Sequence, residues 1–392
     1  MKILSIETSC DETAVCFARI DTSTQEVRIL GNAISSQIVL HAQFGGVFPT
    51  LAKRAHAQKI TTLIEEVFSH AGIQKSNTSI PYDEGLLSFL DEKNNDLKEH
   101  LVPFFHTYEK PDIEAIAVTV GPGLEPALWV GVVTARALGA VWNISVIPIN
   151  HMEGHFVTAQ FIQKKEGLFT RSPLSCPVLG LLVSGGHTEL VLSEEEGVYR
   201  KIGSTRDDAV GEAFDKVARM LGLPYPGGPA VSRLAKEYRE QRKENPFSFP
   251  RPMLHSGDYD FSFSGIKTAV LYTIRDITNG NTRELTDDEK IMIACEFENA
   301  IVEVLAKKTQ RAVQEYGVKT VIIGGGVAGN TYLKEVLTQH FQNSGTILLF
   351  PEGWLSTDNA IMIALATATQ LYGNKIKTAS SDELKADGNL SF

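Results

Sequence analysis

Residues 2–17, KILSIETSCDETAVCF, and residues 178–192, VLGLLVSGGHTELVL, decide the fold. Each is an apolar run, a short turn of small or polar residues and a second apolar run, the pattern of strand, tight turn and strand. Setting Thr13 against Thr188 places Ile3, Leu4 and Ile6 on Val178, Leu179 and Leu181, Ser9 on Ser184, and Val15 on Leu190. A second correspondence follows each copy. Ile113 to Val120 runs into Gly121-Pro122-Gly123, and Val318 to Ile323 runs into Gly324-Gly325-Gly326. Both read as a buried strand, a glycine turn and a helix. The copies lie too far apart for a solenoid, so the chain reads as a duplicated α/β domain with a ligand cleft between its halves.

The first half is expected over residues 1–148, with helical patterns from Ala52 to His70 and from Ala127 to Val141. The second is expected over 149–350. Within the first half, residues 74–114 hold nine acidic and four basic side chains and match nothing in the second, which marks a polar, solvent-facing and partly helical insertion. A helical run returns over 351–372, and 373–392 reads as a polar, frayed tail.

Composition sets the outer limits. A chain of 392 residues that is 43% hydrophobic and 21% charged is globular, which excludes disorder and fibrous repeats. Its net charge of −10 argues against coating nucleic acid through an overall field. One stretch differs: from Arg200 to His255 there are eleven Lys or Arg against seven Asp or Glu. Arg233, Lys236, Arg239, Arg242 and Lys243 recur there at three- and four-residue steps. They read either as a phosphate-binding face or as a solvated helix paired with Glu237, Glu240 and Glu244. The four cysteines, Cys10, Cys16, Cys176 and Cys295, form no C-x-x-C pair, as suits a reducing compartment. Glu7 and Asp11 interrupt any signal-like run, and Arg136 and Asn143 break the apolar stretch from Leu128 to Ile149, so a cytoplasmic chain without a membrane span is expected.

His151-Met152-Glu153-Gly154-His155 sets two imidazoles one helical turn apart on one face, where both can reach one metal ion. Asn150 suits the N-cap, with Glu153 at the capping-box position and the pair at an exposed helix start. In zinc peptidases the Glu directly follows the first His. Glu153 is two residues on, about 200° around the helix, and so faces away from the metal. Asp358, in LSTDNA with Ser356 or Thr357 as cap, is the candidate third ligand. Two histidines and a carboxylate suit Fe(II) or Zn(II) as a Lewis acid. The plainer alternative is two ordinary histidines and an Asp that complements a helix dipole.

Leu182-Val183-Ser184-Gly185-Gly186 turns with small residues whose exposed N–H groups can cradle phosphate, and the turn from Thr8 to Thr13 matches it. Gly324 to Gly329 satisfies G-x-G-x-x-G, but too little chain follows for a dinucleotide fold, so it reads as an adenosine-side turn with Asn330 at the helix start. Asp215, near the turn Pro224 to Pro229, reads either as a surface ion-pair partner or as a ligand for hydroxyls.

In order along the chain, IETSCDETA, HAQFGGVFP, GPGL, NHMEGH, LLVSGGHTEL, GEAFDK, YPGGP, FSFSGIKTAV, GGGVAGN and STDNAIMIA resemble the TsaD family, the bacterial tRNA N6-adenosine threonylcarbamoyltransferases once labelled sialoglycoprotein endopeptidases. The resemblance implies an α/β fold of duplicated ribonuclease-H-like domains, as in actin, Hsp70 and sugar kinases. It implies that His151, His155 and Asp358 hold one divalent metal, Fe(2+) ahead of Zn(2+). By the same resemblance, Leu182, Val183, Ser184, Gly185, Gly186, Asp215, Gly228 and Asn330 bind threonylcarbamoyl-AMP, and Glu12 lies near the reaction as the catalytic candidate. The implied activity moves the threonylcarbamoyl group to N6 of adenosine 37 in tRNAs that read codons beginning with A, with TsaB and the ATPase TsaE as partners. Two departures stand out: Thr50 where relatives commonly carry Glu, and the long 74–114 segment. The competing classes are a kinase or chaperone-like ATPase of the same fold, and a metallopeptidase.

Overall fold

The computed structural model describes residues 1–76, 82, 84–241, 244–280, 282–379 and 383–392. These form two units, one of residues 1–41, 47–173 and 357–392, the other of 42–46 and 174–356.

The first unit runs β1 (Lys2–Glu7), β2 (Glu12–Asp21), β3 (Glu26–Ser36), α1 (Ile38–Ala42), α2 (Pro49–His70), α3 (Glu84–Lys93), α4 (Asn95–Phe105), β4 (Ala115–Gly121), α5 (Glu125–Trp142), β5 (Ser145–Asn150), α6 (His151–Thr158), β6 (Phe161–Lys165) and β7 (Leu168–Arg171). The second runs β8 (Val178–Val183), β9 (Thr188–Glu195), β10 (Val198–Ser204), α7 (Val210–Met220), α8 (Gly227–Glu240), α9 (Ser264–Ile277), α10 (Asp287–Tyr316), β11 (Thr320–Gly324), α11 (Thr331–Phe341) and β12 (Ile347–Leu349). The chain then returns to the first unit as α12 (Ala360–Tyr372).

Among the described residues the first sheet has the order β5-β4-β1-β2-β3-β7-β6 and the second β10-β9-β8-β11-β12. The first five strands of each half therefore share one topology, with an antiparallel β1–β2 or β8–β9 pair and a parallel β1–β4 or β8–β11 pair. The register agrees as well: the offset that sets Thr13 on Thr188 carries the pair Ile3 and Ala18 onto Val178 and Ser193. Strands β1, β4, β8 and β11 are buried almost throughout, which explains why they read as unbroken apolar runs. Local chemistry sets the helix ends. Pro49 opens α2 and Pro126 opens α5, where no N–H partner is needed. Thr286 and Glu289 close a capping box on α10, and Gly317 ends it at φ 58°.

The structure differs from the sequence reading in three places. The units divide at 173/174 and 356/357, so 149–173 and the histidine pair belong to the first unit, because β7 pairs with β3. In the inserted stretch, α3 and α4 are not simply solvent-facing: Leu90, Leu97, Leu101, Phe104 and Phe105 are buried in one core with Phe68 and Trp142. Residues 77–81 and 83 of that stretch lie outside the described residues. The described part of the tail is not frayed. Leu384 is buried in the same core, Asp387 N–H donates to the Val120 carbonyl at 2.8 Å, and Gly123 N–H donates to the Gly388 carbonyl at 3.2 Å. No described helix is long and apolar enough to cross a membrane.

Candidate functional site

Helix α6 starts where Asn150 accepts hydrogen bonds from Met152 N–H at 2.8 Å and Glu153 N–H at 3.3 Å. This cap fixes the first turn, and the i, i+4 spacing then sets the His151 and His155 rings 4.7 Å apart, centroid to centroid, at 85°. Asp358 arrives on the segment before α12, capped by Asn359 accepting from Met362 N–H at 3.0 Å rather than by Ser356 or Thr357. Asp358 Oδ1 lies 3.1 Å from His155 Nε2 and 3.5 Å from His151 Nε2. One ligand atom from each residue falls within 4.8 Å of the others, so the three can hold a divalent ion. Both histidines are buried, at 3% and 1% exposure, not at an open helix mouth. Helix α12 covers them: a Cβ on Gly154, between the two histidines, would sit 3.1 Å from Met362 Cγ.

Sequence reading missed Glu7, the last residue of β1. Its carboxylate, fully buried, lies 3.2 Å from His151 Nδ1 and accepts from Ser9 N–H at 2.5 Å and from the Thr119 hydroxyl. Ser9 Oγ lies 3.1 Å from the same imidazole nitrogen. A carboxylate on Nδ1 fixes the ring and leaves Nε2 for a metal. Burial opposes charge on His151, yet Asp358 and Glu7 outweigh it and push its pKa up to about 9. Burial likewise favours a neutral Glu7, but His151 reverses this and holds Glu7 below its ordinary value. The cluster is therefore built to hold positive charge. The signal for Glu7 was a lone carboxylate in an apolar strand.

Glu12 opens β2 and accepts from the Ser36 hydroxyl at 3.0 Å. Burial, then the charges of Asp11 and Asp358, push its pKa up to about 9. Glu153 does not close a capping box. Its buried carboxylate accepts from Gln370 Nε2 at 2.8 Å, and burial pushes its pKa up to about 7.

The candidate nucleotide residues all lie in the second unit. Leu182 and Val183 are fully buried and paired in the sheet, so they support the turn rather than offer a surface to a ligand. Ser184 Oγ accepts from His187 N–H at 3.1 Å and closes the turn, while Gly185 and Gly186 are exposed. Two more glycines press against this turn. A Cβ on Gly211 would lie 2.7 Å from the Ser184 carbonyl oxygen, and one on Gly325, at φ 89°, would lie 2.4 Å from that of Val183. Side chains at either place would pry apart the turn, the start of α7 and the GGGVAGN loop. Asp215 accepts from Gly227 N–H at 2.7 Å, which ties α7 to the start of α8; beside it Gly228 faces open space. Asn330 caps α11 by accepting from Leu333 N–H at 2.8 Å.

The proposed basic face does not form around Arg239. Its guanidinium pairs with buried Glu298, donates to Asn299 Oδ1 at 3.0 Å and stacks 3.7 Å from the Tyr332 ring centre. Arg242 and Lys243 lie outside the described residues.

The family model described as TsaD, tRNA N6-adenosine threonylcarbamoyltransferase, matches residues 28–80 and 106–365. The chain belongs to the TsaD family. A relative of that name from Bacillus subtilis is 40% identical over 93% of this chain and 89% of its own length. One from Ralstonia pickettii is 40% identical over 95% and 92%. A crystal structure of full-length HypF in the phosphate- and nucleotide-bound form superposes with a TM-score of 0.50 at 12% identity, over 95% of this chain and 46% of that one. That likeness concerns the fold alone, and it agrees with the duplicated ribonuclease-H-like topology. The TsaD match leaves residues 81–105 uncovered, and α3 and α4 lie within that gap. Membership in the TsaD family does not favour a kinase, a chaperone-like ATPase or a peptidase.

Proposed function

We propose that the chain transfers the threonylcarbamoyl group from threonylcarbamoyl-AMP to N6 of adenosine 37 in tRNAs that read codons beginning with A, releasing AMP. The observation that carries this reading is the 40% identity, over 93% of the chain, to a relative named for that transfer. The donor is a mixed anhydride and already activated, so the protein makes no nucleophile; it positions the reactants and meets developing oxyanion charge. The bond from N6 to the carbamoyl carbon forms, the bond from that carbon to the phosphate oxygen breaks, AMP leaves with the electron pair, and N6 gives up one proton. In this reading the turn from Ser184 to Gly186, carried by Leu182 and Val183, holds the phosphate, Asp215 takes ribose hydroxyls, Gly228 leaves room for the nucleotide, and Asn330 meets its adenosine end.

His151, His155 and Asp358 would hold the divalent ion; their ligand chemistry suits iron and zinc alike, and the family resemblance puts Fe(2+) ahead of Zn(2+). When bound, such an ion supplies Lewis-acid stabilisation of the oxyanion. Glu12 is the catalytic candidate: it opens β2, its carboxyl accepts from the Ser36 hydroxyl, and burial with the nearby charges of Asp11 and Asp358 raises its pKa. The peptidase alternative loses its usual base, since the Glu153 carboxylate is turned to Gln370. TsaB and TsaE are the expected partners, and the cytoplasm is the expected location.

Incubating the chain with threonine, bicarbonate, ATP, the partner proteins and tRNA, with nucleosides read by mass spectrometry, tests the reading. The expected result is threonylcarbamoyladenosine and AMP that depend on this chain. ADP with a phosphorylated acceptor would replace it by the kinase alternative, and peptide cleavage by the peptidase.

A further inference from the structure

We infer that Asn330 meets the nucleotide purely as a hydrogen-bond acceptor, and that buried Glu298, paired with Arg239, is the positioning residue that enforces this. The inference rests on the nucleotide reading of the second unit given above.

It follows from counting. An Asn side chain offers two N–H donors on Nδ2 and two lone pairs on Oδ1. Asn330 Nδ2 donates to Glu298 Oε1 at 2.7 Å and to Ser232 Oγ at 3.0 Å, while Oδ1 accepts from Leu333 N–H at 2.8 Å. Both donors and one lone pair are thereby used among the described residues. One lone pair of Oδ1 remains, on a side chain that is partly exposed.

The orientation cannot reverse without loss. An ionised carboxylate only accepts, so turning the amide would set Oδ1 against Glu298 Oε1 and Nδ2 against Leu333 N–H, two mismatches at once. Glu298 is fully buried on α10, where an unpaired carboxylate would be costly. Arg239, from α8, takes its second oxygen and is itself held by Asn299 and the face of Tyr332. Helices α8, α10 and α11 thus fix one amide.

The remaining lone pair selects for a donor on the ligand. An adenosine nucleotide offers the 6-amino group and the 2′- and 3′-hydroxyls; its ring nitrogens and phosphate oxygens accept and would be turned away. A ligand-by-variant cycle distinguishes the donors. Calorimetry with AMP, purine riboside monophosphate, 2′-deoxy-AMP and 3′-deoxy-AMP would be run on the full chain and on Asn330→Ser, which keeps a capping oxygen. At least one analogue is expected to bind the unaltered chain about fivefold to tenfold more weakly than AMP, a penalty that shrinks below about twofold in Asn330→Ser. In Glu298→Gln, Arg239 holds the new amide oxygen and leaves an N–H facing Asn330 Nδ2, so the same penalty should collapse while metal content stays unchanged. Full penalties in both variants overturn this inference and leave the nucleotide site standing. Failure of the unaltered chain to bind AMP overturns the nucleotide reading and this inference with it.

Discussion

The Glu7 carboxylate grips the Nδ1 edge of His151 and is itself gripped by Ser9 and Thr119. Replacing it by Gln sets an NH2 either against the Ser9 N–H or, at the other end, against the Thr119 hydroxyl and His151, so in either placement the grip on the imidazole weakens. Glu7→Gln is expected to weaken metal binding about tenfold to hundredfold in a folded protein, as judged by chelator competition. Unaltered affinity would remove Glu7 from the centre. His56 carries a pH effect. Its Nε2–H donates to the Cys10 carbonyl at 3.0 Å and its Nδ1 accepts from the Thr13 hydroxyl at 2.7 Å. Burial lowers its pKa to about 4, against the opposing pull of the Cys10 carbonyl and Glu7. An unfolded histidine titrates near 6.5, so between the two values the unfolded chain binds more protons. The stabilising contribution is complete above about pH 6.5 and is lost as the pH falls toward 4. In metal-free protein, the melting difference between the unaltered chain and His56→Gln should be largest at neutral pH and shrink in acid. A difference independent of pH would mean that His56 is not held neutral.

At the scale of elements, the metal centre depends on how closely α6 and α12 approach. Gly154 permits it: a Cβ there would meet Met362 Cγ at 3.1 Å and Ile363 Cδ1 at 3.4 Å. An Ala needs its neighbours to give a few tenths of an ångström and gains helix propensity of about 1 kcal/mol, so Gly154→Ala should be nearly neutral. The branched side chain of Gly154→Val has no such room and pushes α12, with Asp358, away from His155. Metal affinity is expected to fall although no ligand has changed, and a titration that matches the unaltered chain would refute this. Helices α2 and α5 were legible to within a few residues, because their apolar stripes and proline starts are local signals, whereas α12 begins at Ala360 and not at 351. The capping roles were harder. Asn359 takes the cap expected of Ser356 or Thr357, and Glu153 turns to Gln370, since several neighbouring residues could serve and packing chose among them.

For the molecule as a whole, the C-terminal tail is a fastener of the first unit. Leu384 is 2% exposed in the core, and the backbone at Asp387 and Gly388 pairs with Val120 and Gly123. A Cβ on Gly121 would fall 1.9 Å from the Asp387 carbonyl oxygen, so strand end and tail need a glycine between them. Leu384→Ala should cost roughly 2–4 kcal/mol in denaturant titration, the usual range for a buried leucine. Deleting residues 383–392 should lower the melting temperature further. If both variants melt like the unaltered chain, the tail does not fasten the unit.

The duplicated topology, the register shared by the two hairpins, the histidine pair and the glycine turns can all be read from the order of residues. These are written in periodicity and short spacings, which hydrogen-bond geometry and strand alternation turn directly into structure. Packing alone brings Glu7, 144 residues before His151, to support that ring, and carries Asp358 to His155 across 203 residues at 3.1 Å. It also decided that the histidines are buried, that Arg239 belongs to Glu298 and that the tail is docked. The physical reason is that a buried polar group must find a partner, and strand order and helix packing, not spacing along the chain, determine which one lies within reach.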